Sequence, residues 1–360
     1  MPSLPDHCRA ALEALDAHHA RRRLPVAQGG LLSFAGNDYL GLSTHPEVIA
    51  AGQAALAEFG AGAGASRLVT GNHPLYAPLE AQLARMKNQQ AALVFGSGYL
   101  ANLGTVTALM GEGDLILADK LAHACILDGA RLSGATLKRF RHNDLTHAEA
   151  LLAERGNYKN LLIVTEHIFS MDGDRAPLAE LAALARRHDG WLMVDDAHGL
   201  FEPPAIATDI WMGTLSKAAG AYGGYVTGSH ELIDYLTSKA RSFVFSTGLP
   251  PAVCASALAA LQIAEREPLR RVRPIALAQQ VCDALELCPA QSAILPIILG
   301  ESARALEASA QLKKHGILAV AIRPPTVPPN TARLRLTFTA AHTDAQVAQL
   351  IDALRREGLA

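Results

Sequence analysis

Six short apolar runs punctuate the chain between residues 91 and 214: "AALVF", "DLILAD", "ATLKRF", "NLLIVTE", "WLMVDD" and "DIWMG". Stretches of helical character separate most of them. A strand with one solvated face alternates apolar and polar residues; most of these runs are continuous, which requires cover on both faces. That pattern predicts an α/β fold, a mostly parallel sheet wrapped by helices. "FVF" before "STGLPP" reads as one more buried strand, followed by a long helical region to about residue 287. Beyond it, "AILPIILG", "LAVAIRP" and "ARLRLTFTA", with two helices, predict a smaller α+β C-terminal domain. The expected divisions are an N-terminal arm over 1–45, a large domain over 46–250, and a linking helix with the small domain over 251–360.

The rest of the chain is consistent with a soluble protein. Half of its 360 residues are apolar and 18% are charged, enough for a large core. A formal charge of −2, with no Lys/Arg block longer than three, argues against a nucleic-acid surface or a polybasic membrane anchor. Five scattered cysteines without C-x-x-C fit a reducing compartment. The first residues carry Asp6, Glu13 and Asp16 and lack the apolar core of a secretory signal, so the expectation is a cytoplasmic protein. Residues 8 to 23 read as an amphipathic helix ending in "RRR", and the glycine-dense "GAGAGASRLVTGN" as an irregular loop.

Ligands of open α/β sheets bind outside the carboxyl ends of the strands. Asp195, Asp196 and His198 follow "WLMV"; Thr214, Ser216 and Lys217 follow "DIWM". Ser170 comes after "LLIVTEHIF", His123 after "LILADKLA", and Ser97-Gly98-Tyr99 after "ALVF". Pyridoxal phosphate needs a lysine, an acid for its ring nitrogen, a flat group on its ring and phosphate ligands at a helix N-terminus. Lys217, Asp195, His123 and the Ser97-Gly98-Tyr99 turn can supply all four. A nicotinamide cofactor would want G-x-G-x-x-G after the first strand. The nearest stretch, "GAGAGAS", follows a helix and lacks a downstream ribose-binding acid.

Over nearly its whole length the chain resembles the α-oxoamine synthases, fold-type I pyridoxal-phosphate enzymes. "FAGNDYLGLSTHP", "GSGYLANLG", "FSMDGDRAPL", "WLMVDDAHG", "TLSKA", "STGLPP" and "AIRPPTVPPNTARLRLTFTAAH" carry the likeness. The last segment points to the branch that condenses L-alanine with a pimeloyl thioester; branches that use glycine are the alternative. The resemblance implies Lys217 as the cofactor-bearing lysine and Asp195 as the partner of the ring nitrogen. It implies His123 as the stacking residue, with His198 and Ser170 near the phenolic oxygen. Gly98, Tyr99 and Thr214 would hold the phosphate, Ser246 or Thr247 arriving from a second subunit of a homodimer. Arg335 would bind the amino-acid carboxylate, and Arg21, Asn37 and Thr326 would lie at the substrate.

The chain departs from the family pattern in three places. The glycine-rich stretch between His198 and Lys217 is shortened to "GLFEPPAIATDIWMG", His167 stands where glycine is common, and Tyr76 where histidine often sits. Plainer readings also stand beside the functional ones. Asp196 is expected to be a helix N-cap, Ser170 could cap a turn, and the "RRR" run could be a solvated helix end.

Overall fold

The computed structural model describes residues 2–17, 21, 24, 29–154 and 156–359. Two compact units divide it: Gly36–Leu295 with Thr337–Val347, and Met1–Ala35 with Pro296–Leu336 and Ala348–Ala360. Residues 36–45 and 251–295 therefore group with the large unit rather than with the arm and the C-terminal region.

The large unit is built on seven strands in the order Ala91–Phe95, Gly224–Gly228, Ile210–Thr214, Trp191–Asp195, Leu161–Glu166, Leu115–Asp119 and Thr136–Phe140. Six run parallel; Gly224–Gly228 is antiparallel to both neighbours. The six apolar runs are the six parallel strands. Gly224–Gly228, "GYVTG", carries glycine at both ends and stands apart from the pattern of the other six.

Alternate residues of the inner strands enter two different cores, which is why those runs do not alternate with polar residues; the edge strand Thr136–Phe140 buries only Phe140. Ile116, Leu162, Val164, Met193 and Met212 pack on one face; Leu117, Ile163, Leu192, Val194 and Trp211 pack on the other. Burying each such side chain contributes roughly 1.5–3 kcal/mol.

The long helical region is two helices, Pro251–Arg266 and Pro268–Ala284, each with proline in its first turn, where a missing N–H costs nothing. "FVF" corrects one expectation. Arg241–Val244 is a short helical turn and Phe245 is 72% exposed, so the segment is no buried strand. Its apolar residues do not all face one core, and a three-residue run has too little periodicity to decide between helix and strand.

The smaller unit carries most of a three-stranded sheet, with Ala332–Thr337 central between Val320–Ile322 and Ile294–Gly300. Leu32–Ser33 pairs in parallel with Ile317–Leu318. The N-terminal helix is Leu4–Ala17, ending short of the expected residue 23; Arg22 and Arg23 of the "RRR" run lie outside the described residues. No described helix is long and apolar enough to cross a membrane.

Candidate active site

Parallel strands place their carboxyl ends along one edge of the large sheet, and acids end three adjacent strands there: Asp119, Glu166 and Asp195. Glu166 and Asp195 are register partners, both buried. Burial pushes the Asp195 carboxyl up, opposed by Lys217, by the Asn102 amide, by the Ala197 N–H and by His123. Asn102 Nδ2 donates to Asp195 Oδ2 at 2.7 Å, and Ala197 N to Asp195 Oδ1 at 3.0 Å. Burial also raises Glu166, and Asp195 raises it further, well above the ordinary carboxylate range. Two carboxyls side by side in a dry site cannot both ionise cheaply. Asp195, with the stronger donors, is the anion, and Glu166 holds the proton.

Lys217 follows the strand Ile210–Thr214 and is half-buried. Its Nζ is 2.8 Å from His198 Nε2, and His198 Nδ1 is 2.6 Å from the Tyr39 hydroxyl. Tyr39 in turn donates to Asn37 Oδ1 at 3.1 Å. With the lysine as an ammonium, the following order of protons is compatible with these contacts. An ammonium on Lys217 donates to Nε2, Nδ1–H donates to the tyrosine oxygen, and the tyrosine proton goes to Asn37.

Ser97 caps the helix Gly98–Leu109, its hydroxyl accepting from Leu100 N at 3.2 Å. The helix N-terminus therefore opens beside the end of Ile210–Thr214. A β-carbon on Gly98 would sit 3.3 Å from Thr214 Cβ, and one on Gly224 only 2.4 Å from the Ser97 carbonyl carbon. Glycine at both positions lets these backbones meet and leaves amide N–H groups of the first helical turn available to an anion, while the Thr214 hydroxyl donates to the Gly223 carbonyl at 2.8 Å. That cradle, the lysine amine and a buried carboxyl suited to a cationic partner fit the demands of pyridoxal phosphate. Among the described residues, no group of three or more His, Cys, Asp or Glu side chains is placed to hold a metal ion.

His123 is the N-cap of Ala124–Ser133 and is exposed. Ser170 N donates to Glu166 Oε2 at 3.3 Å, placing that residue beside the acidic pair. Tyr99 is 44% exposed and its hydroxyl donates to Asp128. Ser246 lines a small recess with Gly96 and Phe95, and Thr247 bridges through its backbone to Ser66 in the glycine-rich loop. Arg21, Thr326 and Arg335 belong to the smaller unit. There Arg335 is 6% exposed on the central strand, Thr326 is an exposed turn residue, and Arg21 pairs with Asp16 at 2.7 Å.

Asp196 corrects the expectation of an N-cap. Its buried carboxylate pairs with Lys87 Nζ at 2.5 Å and with His167 Nδ1 at 2.7 Å. Lys87 also donates to the carbonyls of Gly199 and Glu202 at 3.3 and 3.1 Å. Arg175 holds Glu202 through both guanidinium nitrogens. This network ties down the shortened segment after His198. Sequence reasoning also passed over Asn102, Tyr39, Cys125 and Glu166. Only Glu166 carried a local signal, an acid closing a buried run; Asn102 and Tyr39 meet their partners across 93 and 159 residues.

The sequence profile of the class I and II aminotransferases matches residues 30–354. The 8-amino-7-oxononanoate synthase of Methylobacterium nodulans is 56% identical over 372 residues, spanning 100% of this chain and 98% of that protein. The enzyme of the same description from Methylobacterium radiotolerans is 54% identical over 367 residues, with 98% of each chain covered. Among solved structures, serine palmitoyltransferase from Sphingomonas wittichii superposes with a TM-score of 0.91 at 31% identity, over 99% of this chain and 98% of that one. An 8-amino-7-oxononanoate synthase from Francisella tularensis gives 0.76 at 28% identity, over 92% and 98%.

Proposed function

The chain belongs to the 8-amino-7-oxononanoate synthases, pyridoxal-phosphate-dependent acyltransferases within the class I and II aminotransferase family, and from that premise we propose that it condenses L-alanine with a pimeloyl thioester in the cytoplasm. The products are 8-amino-7-oxononanoate, carbon dioxide and the free thiol. The observation that carries the reading is the Lys217 amine against His198 Nε2, in a site whose buried acid is Asp195.

Lys217 would hold the coenzyme at its aldehyde carbon, Asp195 at its ring nitrogen and His123 at a ring face, with Gly98, Tyr99 and Thr214 at its phosphate. Ser170 and His198 would contact the phenolic oxygen. Bound there, the coenzyme supplies an electron sink for the pair left at the amino acid Cα. Asp195 favours the protonated ring nitrogen because a carboxylate beside an N–H⁺ stabilises the charged form. Lys217 Nζ takes the Cα proton and returns one after decarboxylation, and His198 Nε2 is the neighbouring acceptor for the ammonium so formed. Between those proton transfers, Cα bonds to the acyl carbon as the thiolate leaves, and His198 polarises the new ketone while the carboxylate departs as carbon dioxide. By the family resemblance, Arg335 would orient that carboxylate, and Arg21, Asn37 and Thr326 would lie at the substrate.

The active unit is a homodimer in which Ser246 and Thr247 complete the phosphate site of a second copy. Supporting this, Val69 and Phe245 lie near the Ser66–Thr247 bridge and are 74% and 72% exposed. Large apolar side chains left in water suit a protein interface.

The test measures thiol release with L-alanine, glycine and L-serine across short and long acyl thioesters. L-Alanine with pimeloyl-CoA should give the highest kcat/KM. A preference for L-serine with palmitoyl-CoA would overturn the reading in favour of the serine palmitoyltransferase branch. Lys217→Ala should lose both turnover and the coenzyme's visible absorption band.

A further inference from the structure

Behind His123 the structure holds a row of buried polar groups that the proposed chemistry leaves without a task. Asn102 Nδ2 reaches both Asp195 Oδ2 at 2.7 Å and Cys125 Sγ at 3.0 Å. Cys125 Sγ lies 2.8 Å from His123 Nδ1, and the Cys125 backbone N–H points at the same nitrogen at 3.3 Å. Cys125 is 2% exposed and Asn102 fully buried, so water does not compete for the Asp195–Asn102–Cys125 contacts.

The donors in this row can be ordered. The Asp195 carboxylate accepts only, which fixes the amide orientation of Asn102 and turns its NH2 toward both oxygen and sulfur. Asn102 Oδ1 meets no donor among the described residues, a cost accepted for that orientation. With its sulfur already accepting from Asn102, the Cys125 thiol has its proton to give. Burial and the neighbouring Asp195 charge keep the thiol protonated. Its acceptor is His123 Nδ1, toward which the backbone N–H also points. An Nδ1–H tautomer would set two protons against each other there; an Nε2–H tautomer has none.

We propose that Asn102 and Cys125 are positioning residues that tie the His123 ring to Asp195, with Cys125 setting His123 as the Nε2–H tautomer. The inference rests on the cofactor site proposed above: the two residues assigned there to the coenzyme ring, one at its nitrogen and one on its face, are held by one hydrogen-bonded row. A rotation of His123 about its χ angles breaks that row, so the ring plane and the acid move as a unit.

The test is 15N NMR of the full-length protein with labelled histidine, at alkaline pH where imidazole is neutral, the His123 signal being assigned by its loss in His123→Gln. Wild type and Cys125→Ser, whose hydroxyl still donates, should show a bare Nδ1 and a proton on Nε2. Cys125→Ala keeps only the longer backbone contact and should raise the Nδ1–H population several-fold. A wild-type proton on Nδ1, or an alanine variant with the wild-type tautomer ratio, overturns the proposal. If the alanine variant fails to fold, the wild-type and serine spectra decide. On the holoenzyme, Cys125→Ala should weaken the visible circular dichroism of the coenzyme and lower kcat more than it raises KM, with Cys125→Ser restoring both. The NMR result needs no coenzyme: the expected tautomer in a protein that shows no visible band with pyridoxal phosphate supports this inference while refuting the cofactor site.

Discussion

Lys217 Nζ and His198 Nε2 lie 2.8 Å apart, and the other His198 nitrogen is held 2.6 Å from the Tyr39 hydroxyl. The imidazole therefore links the amine to a fully packed tyrosine, 4% exposed. A ring held from behind keeps one nitrogen facing the lysine, where an unheld ring would turn between rotamers.

Tyr39→Phe removes that hold without changing the shape of the site. It deletes the hydroxyl that joins His198 Nδ1 to Asn37 Oδ1, a loss of about 1–3 kcal/mol. Steady-state kinetics should show kcat/KM falling roughly 10-fold, as about 1.4 kcal/mol implies, with the visible band of the coenzyme retained. Unchanged kinetics would remove Tyr39 from the site.

Glu166 should behave as a neutral group, and Asp195 as a charged one. A carboxyl raised in the folded state binds a proton that the unfolded chain, with its ordinary value of 4.5, releases at neutral pH. The folded state then binds more protons, so stability falls as pH rises above about 4.5. Glu166→Gln removes that penalty. The variant's Tm, measured without added coenzyme, should exceed the wild-type Tm at pH 8 and converge with it below about 4.5. Asp195→Asn should instead retain the fold and lose turnover. A Glu166→Gln variant less stable at pH 8 than at pH 4, relative to wild type, would contradict the proton assignment.

The Lys87–Asp196 pair is buried on both sides, 1% and 0% exposed at its side chains. Lys87→Met leaves Asp196 with His167 as its remaining ionisable partner, and urea unfolding should show a loss of about 3–5 kcal/mol. Adding Asp196→Asn should recover part of that loss, since the uncompensated charge is then gone. Asp196 is held below its ordinary 3.8 by Lys87 and His167 despite burial. Its contribution is therefore present above pH 3.8 and is lost as acid titrates it below that value. A cost under about 1 kcal/mol for Lys87→Met would show the pair to be dispensable.

His142 bridges Asp119 Oδ1 at 3.1 Å and Asp174 Oδ2 at 2.7 Å, closing the loop that carries Ser170. Burial alone would lower its pKa, but the hydrogen bonds and charges of the two aspartates raise it to about 10. The folded state thus holds a proton that the unfolded chain gives up above 6.5. The stabilisation is complete below 6.5 and disappears as pH climbs through about 10. His142→Gln should lower Tm at pH 6, with the gap to wild type closing at alkaline pH. A gap that widens with pH would refute the cationic bridge.

Much of this protein was legible from local pattern. Six short runs, most of them continuously apolar, announced a sheet covered on both faces, because a strand's neighbours in sequence already report which of its sides meets water. The ends of those runs held Asp195, Thr214 and Lys217, and the sheet placed them on one edge. Local pattern misled where the deciding contact lay elsewhere. Phe245 looked buried and is exposed; Asp196 looked like a cap and is half of a buried ion pair.

What the sequence determined by itself was the layered fold and the residue types at its carboxyl edge, since both follow from periodicity over a few residues. Tertiary structure alone decided which acid is charged, which nitrogen of His198 faces the amine, and what holds each ring. Those outcomes depend on Tyr39, Lys87 and Asn102, which reach their partners from 159, 109 and 93 residues away. Hydrogen bonding and desolvation act through distances of about 3 Å in space, and spacing along a chain does not report them until the chain has folded.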